Sequence, residues 1–283
     1  VDTGQCAVAA RVQLLAPAPQ LPVQYPDWTG GAMRGDPGTS LLTGTAVADE
    51  LAEKAQVTVP LGILSLVIAI VISVPLGVMS AMRRGRADGT ALSVGAQALA
   101  AVPVVWAGMM LVVVFAVWLG WLPAGGRGET VTVLGIEWSF LSLDGLKHLL
   151  LPADNLSLFK LAMMMRLARA GTREIVMTDT VKFARASGQS EWTILRHHVL
   201  RLISIPIVTV FGLEFGSALA FAVVTETIFS WPGLGKLIIE SIQSLDRPVM
   251  VAYLMLVAFL FIVINFLIDI SYAALDPRVR ARR

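Results

Sequence analysis

The sequence predicts an all-α integral membrane protein, and three observations carry that prediction. Hydrophobic residues fill 56 % of the 283 positions and charged residues only 15 %, too little polar surface to cover a water-soluble globule of this length. Apolar runs of about 20 residues, the length a helix needs to cross a hydrocarbon core, recur along the chain. Basic residues gather in three connecting segments, the bias that sets orientation in a membrane. The net charge of +2 is too small to point to nucleic acid, and the one cysteine, Cys6, has no partner for a disulfide or a metal.

Residues 1–56 are rich in Pro and Gly, as in APAPQLPVQYPDWTGG, and read as an extracytoplasmic segment; CAVAARVQLLA is too short to cross. A transmembrane domain follows over residues 57–283. Its expected spans are Val57 to Met82, Ala91 to Trp118, Leu202 to Val224 and Val249 to Ala274, with a weaker one from about His148 to Ala170. Asp154, Lys160, Arg166 and Arg169 interrupt that weaker run, which counts as a span because the chain must recross for the charge bias to stay consistent. The loop with Arg83, Arg84 and Arg86, the stretch Arg173 to Arg201, and the tail with Arg278, Arg280, Arg282 and Arg283 belong on the cytoplasmic side. Loops 119–147 and 225–248 mix both signs and carry Trp118, Trp121, Trp138 and Trp231, as outward-facing interfacial anchors would. Five spans are visible.

The cytoplasmic loop at about 174–201 has its own local logic. Phe183, Ala184 and Ala186 offer a small apolar surface, and Gly188 suits a left-handed residue that ends a helix. Ser190 offers an N-cap side chain, and Glu191 falls in the first turn, where the helix dipole favours a carboxylate. Two short helices meeting at a bend are expected. Such an elbow can seat in a groove of a partner protein and pass rigid-body motion into the flanking spans. Alternatively, Lys182, Arg185, Arg196 and Arg201 bind anionic lipid headgroups. Periodicity alone does not choose between them.

The loop from Thr180 to Thr209, TVKFARASGQSEWTILRHHVLRLISIPIVT, resembles the EAA loop of ABC-importer permeases, in the version carried by B-type permease subunits of the peptide/nickel (dipeptide/oligopeptide) family. The Gly that follows a small-residue helical turn is Gly188, and the Pro about eighteen residues later is Pro206. Lys182 stands where the family's name-giving Glu would be. ETIFSWPGLGKLIIESI, from Glu226 to Ile242, is similar to the family's outward loop and short helix; INFLIDISYAALDPRVR, from Ile264 to Arg280, is similar to its closing signature. The resemblance runs from about Leu21 to Arg280.

That resemblance implies a type I importer permease fold with six spans in the full chain, the first preceding Val1; a genuine five-span subunit is the alternative. It implies a non-catalytic subunit of the bacterial inner membrane that forms half of a translocation pathway for peptides. Implied partners are a homologous C-type permease, two cytoplasmic ATPases that hold the ATP and Mg, and an extracytoplasmic substrate-binding protein. No cofactor or metal is expected on this chain. Phe183, Ala184, Arg185, Ala186, Gly188 and Glu191 become the ATPase-coupling residues, and Glu226, Trp231, Pro232 and Gly233 an outer gate.

Intramembrane charge adds a further expectation. An ionised group costs at least about 2.5–3.5 kcal/mol at mid-membrane unless paired or hydrated, so Asp154, Lys160 and Glu214 are candidates for the translocation pathway. For Asp269, bracing a helix end is the favoured reading. The same residues support the competing function, an ion-coupled secondary transporter that relays protons through Asp154, Lys160 and Glu214, although no internal repeat accompanies them.

Other motifs fail on chemistry. WPGLGKL ends in Leu237 where a phosphate loop needs Ser or Thr, and Ser230 replaces its first Gly. Adjacent His197 and His198 point about 100° apart on a helix and cannot close on one metal. The spacing of Gly212 and Gly216 suits a close helix contact.

Overall fold

The computed structural model describes residues 29–31, 34–83, 87–133 and 136–275. Cys6, Arg84, Arg86, the basic tail from Arg278 and most of the N-terminal segment lie outside the described residues.

Helix α1 (Val47–Met82) begins at Val47 rather than Val57, with Asp49 and Glu50 in its first turn, where the dipole favours them. At 36 residues it is about 54 Å long, well beyond a bilayer core, so its outer turns stand clear of the hydrocarbon. The expected span from Ala91 to Trp118 is not one straight helix. It is broken into α2 (Ala87–Ala100) and α3 (Val104–Leu111), α3 running on into a π-helical turn (Val112–Trp118), and the two parts are bent by 101°. Pro103 sits at the break: it lacks an N–H, and its ring disfavours helical backbone at Val102. Pro60, Pro75, Pro152 and Pro206 remain inside continuous helices.

The following loop forms a two-stranded hairpin, β1 (Val131–Val133) against β2 (Ile136–Trp138), with Val131 opposite Trp138. Ser142 then caps α4 (Leu143–Val176), accepting the Gly145 N–H at 2.8 Å. Its 34 residues can cross a membrane, but its charges keep it from being apolar enough to count by composition. Position explains the composition. Helix α4 lies against α1, α2, α3 and the later helix α7, and it buries Leu149, Ala153, Leu156, Met164 and Ala168 among them rather than facing lipid.

The elbow consists of α5 (Asp179–Ala186) and α6 (Glu191–Ile194), and a π-helical turn (Leu195–Val199) leads without a break into α7 (Leu200–Ile228). A short helix α8 (Leu234–Gln243) and a final span α9 (Arg247–Leu275) complete the described chain. Among the described residues three helical runs are long and apolar enough to cross, within α1, from α6 into α7, and in α9; the bent α2–α3 pair makes a fourth if it is one span.

Three layers of packing tie these helices together. At the end away from the elbow, Val47 and Leu51 of α1 meet Leu234, Leu237 and Ile238 of α8 and Val249 and Tyr253 of α9. In the middle, Leu61, Leu149, Leu156, Ala218 and Trp231 join α1, α4 and α7. Toward the elbow, Val78 packs on Val199, Ile203 and Ile207. Lipid supplies no hydrophobic drive for helix association, so close van der Waals fit must serve. Gly212 and Gly216 provide it between α7 and α9: a Cβ on Gly212 would collide with Ile268, and one on Gly216 would lie 2.7 Å from the Phe261 ring.

Candidate functional site

At the elbow, Gly188 takes the left-handed conformation its position predicts, with φ +79°. Ser190 caps α6, its hydroxyl accepting the Thr193 N–H at 3.2 Å. Arg185 spans the bend, donating to both oxygens of Glu191 at 2.8 and 3.1 Å, and this hydrogen bond holds the Glu191 carboxyl below its ordinary pKa. Inside the bend Val181, Ala184 and Ile194 pack on one another and on Ile175.

This packing revises the expected contact face. Ala184 is buried within the elbow and braces it, whereas Phe183 is 75 % exposed and Ala186 and Arg185 are exposed beside it. Trp192, missed in the sequence, is 67 % exposed on the second helix. The signal for it was available: Trp192 and Ile194 are two apart on a helix, so both cannot face inward, and Ile194 does. His197 and His198 make separate contacts, with the Thr193 carbonyl at 3.3 Å and with the Gln189 side chain at 3.4 Å.

Within the bundle, Lys160 is only 1 % exposed, and its ammonium donates to the Leu156 carbonyl at 3.1 Å. Glu214, half-buried on α7, acts on it electrostatically and itself accepts from the Ser217 hydroxyl at 2.9 Å. Asp154 is half-buried a turn and a half earlier on α4 and is not drawn into this pair. A second buried polar contact, unforeseen in the sequence, joins Asn155 to Thr225 at 3.1 Å. Asp269 is exposed near the end of α9.

At the end of the bundle away from the elbow, Glu226 has no exposed surface. Its Oε1 accepts the Thr58 hydroxyl at 2.6 Å, and its Oε2 accepts the N–H groups of Gly235 and Lys236 at 2.7 and 3.0 Å. Thr58 Oγ1 in turn accepts the Leu234 N–H at 2.7 Å. Three of the four orphan donors of a helix N-terminus are thereby satisfied. Trp231 is buried beside this group, its indole N–H donating to the Val57 carbonyl at 3.3 Å. Ser230, with φ +49°, makes the sharp reversal after α7, a conformation that costs a non-Gly residue of order 1 kcal/mol or more. Of the four expected gate residues, Glu226, Trp231 and Gly233 are buried in this knot and Pro232 is half-buried at its edge. Thr58 lies 168 residues from Glu226 and carried no sequence signal.

Comparison with known proteins gives a consistent result. The family described as "Binding-protein-dependent transport system inner membrane component" matches residues 73–281. The di/tripeptide transport system permease protein DppB of Pseudomonas aeruginosa is 36 % identical over 272 residues, covering 92 % of this chain and 81 % of that protein. The oligopeptide transport system permease protein AppB of Bacillus subtilis is 37 % identical over 258 residues, covering 91 % and 80 %. Among solved structures, an inward-facing MetNI methionine ABC transporter matches with a TM-score of 0.63 at 17 % identity, over 80 % of this chain and 96 % of that one, which is a likeness of fold.

Proposed function

We propose a cargo and a set of partners for this chain, which belongs to the family of binding-protein-dependent transport system inner membrane components. It is a permease subunit of an ABC importer in the bacterial inner membrane. Its cargo is a short peptide of two to a few residues. The observation that carries this reading is identity of 34–37 % with permeases named for dipeptides, di/tripeptides and oligopeptides, sustained over nine-tenths of the chain. A glutathione transport system permease protein of Escherichia coli is 35 % identical, so glutathione is the alternative cargo.

The chain forms half of the pathway, with a homologous C-type permease as the other half, and hydrolyses no ATP itself. Two ATPases serve the complex from the cytoplasm, one of them docking on this elbow, and a binding protein delivers peptide at the opposite face. What supports the docking is the elbow's geometry: a rigid bend locked by Gly188, the Ser190 cap and the Arg185–Glu191 pair, displaying Phe183 and Trp192 outward and continuous with α7. Exposed aromatics on a rigid mount are the type of anchor that dominates protein interfaces. Glu214, half-buried on α7, is assigned to the polar lining that a zwitterion requires, and Lys160, buried in the bundle, to its electrostatic support rather than to the lining itself.

The complex, reconstituted in liposomes with its ATPases inside and binding protein outside, is expected to accumulate labelled di- and tripeptides only when ATP is supplied. Uptake should be insensitive to collapse of the proton gradient. Uptake that follows the gradient without ATP would replace this reading with that of an ion-coupled carrier.

A further inference from the structure

The WPGLG turn between α7 and α8 has a single physical centre, the Glu226 carboxylate. Glu226 occupies the last turn of α7, the helix that starts at the cytoplasmic elbow and runs for 29 residues, about 44 Å. Its two oxygens fasten that helix to two others: to α1 through Thr58, and to the N-terminus of α8 through the N–H groups of Gly235 and Lys236. The glycines of the motif follow from it. A Cβ on Gly233 would collide with Glu226 Oε1 and with Thr58 Oγ1, and one on Gly235 would run into the Val223 backbone and lie 3.0 Å from Glu226 Oε2. Removing both side chains is what lets the start of α8 close over the carboxylate.

The position of α8 therefore depends on α7. Apolar packing of Leu234, Leu237 and Ile238 holds it broadly against α1 and α9, but dispersion contacts tolerate sliding. Three directional hydrogen bonds to one buried carboxylate do not, because each weakens steeply when its angle changes. A carboxylate at a helix N-terminus also gains from the dipole, and inside the protein that gain is little screened.

We propose that Glu226 is a positioning residue, the joint through which displacement of α7 at the elbow is delivered to α8 and α1 at the outer end of the permease. The inference rests on the importer reading above and adds to it a path, elbow to α7 to Glu226 to α8, and a residue without which the path is cut. Substrate need not touch Glu226.

The test uses the whole transport complex in a Cys6→Ser background with one reporter, Glu240→Cys, on the exposed side of α8. The rate of labelling by an impermeant thiol reagent is compared with and without ATP plus vanadate. With Glu226 intact the rate is expected to change at least about fivefold on nucleotide trapping. Glu226→Met, of similar size but with no acceptor, should abolish that change while ATP hydrolysis continues, and should lower uptake per ATP about tenfold, the effect of losing a buried charge-assisted hydrogen bond on a two-state equilibrium. Glu226→Gln should restore most of the nucleotide response, since its amide oxygen can accept both backbone N–H groups and its NH₂ can face Thr58. Where Glu226→Met fails to assemble, Thr58→Val removes the bonds of α1 to Glu226 and to the Leu234 N–H while leaving those of Gly235 and Lys236, and should reduce the nucleotide response, with Thr58→Ser as its conservative control; an unchanged response in Thr58→Val counts against the joint.

A nucleotide response that persists in Glu226→Met, or that is absent when Glu226 is intact, overturns the proposal. So does failure of both Glu226→Met and Thr58→Val to assemble, which would make the cluster a folding element and nothing more. The importer reading is judged separately, by ATP-dependent uptake in the unmutated complex.

Discussion

Replacing Gly188 separates a backbone effect from a steric one. Its φ of +79° is in the left-handed region, yet a Cβ built there meets nothing within 4 Å. The elbow itself has room for a side chain, so within this chain the cost is confined to the backbone, about 1–2 kcal/mol for an ordinary L residue. Asn visits that region more readily than other residues and should cost less. Set against this are the Ser190 cap, worth about 1 kcal/mol, and the solvent-exposed Arg185–Glu191 pair, worth about 0.2–1 kcal/mol. The bend should survive substitution but be biased, and a penalty of about 1–2 kcal/mol shifts its population by a factor of about 5–30. Uptake per ATP hydrolysed, measured on complexes of equal subunit stoichiometry, should fall in the order Gly, Asn, Ala, Val. If bulk at the partner interface were what mattered, Ala would outperform Asn; that reversal, or a Val variant that transports normally, refutes the reasoning.

Phe183→Ala and Trp192→Ala should leave thermal stability within about 0.5 kcal/mol, as exposed positions do, while reducing copurification of the ATPases; Ala184→Phe should instead destabilise the elbow by about 1–3 kcal/mol through overpacking. At the end of the bundle away from the elbow, the Asp246 carboxyl is raised by burial but lowered more by the Ser40 hydroxyl at 2.5 Å and by the N–H groups of Leu41, Leu42 and Val249, so its pKa lies below the ordinary 3.8. A depressed folded value means the contact stabilises above that range and is lost as pH falls through it. The melting deficit of Ser40→Ala, about 1.5–3 kcal/mol, should be full at pH 7 and shrink only below about pH 3.8. Lys160→Met should lower uptake, and unaltered uptake would remove Lys160 from any part in transport. With Cys6 replaced, a Cys at Ser190 should react with an impermeant reagent from the cytoplasmic side only and a Cys at Glu129 from the outer side only; Glu129 is exposed, and unlike the left-handed Gly126 nearby it accepts a side chain without strain.

Legibility in the sequence followed the range of the interaction. The membrane class, the apolar lengths and the sites of the elbow's bend and cap rest on neighbouring residues: hydropathy over about 20 positions, Gly188 at a helix end, Ser190 before Glu191. Each is settled by backbone and solvent, so each could be read without a fold. The structure altered even local readings wherever two signals competed. The run from Ala91 to Trp118 is uniformly apolar, but Pro103 breaks it, and a helix needs both hydropathy and an unbroken ladder of N–H donors.

Partner choice was out of reach. That Glu226 would meet Thr58, that Asn155 would meet Thr225, and that Ala184 would turn inward while Phe183 and Trp192 face out depend on how helices distant in sequence are arranged in space. A buried carboxylate must find donors, and the sequence states that requirement when it places Glu226 next to an apolar span. It does not state which donors, because any hydroxyl or helix N-terminus brought within 3 Å would serve. Only the packing of α1, α7 and α8 decides among them.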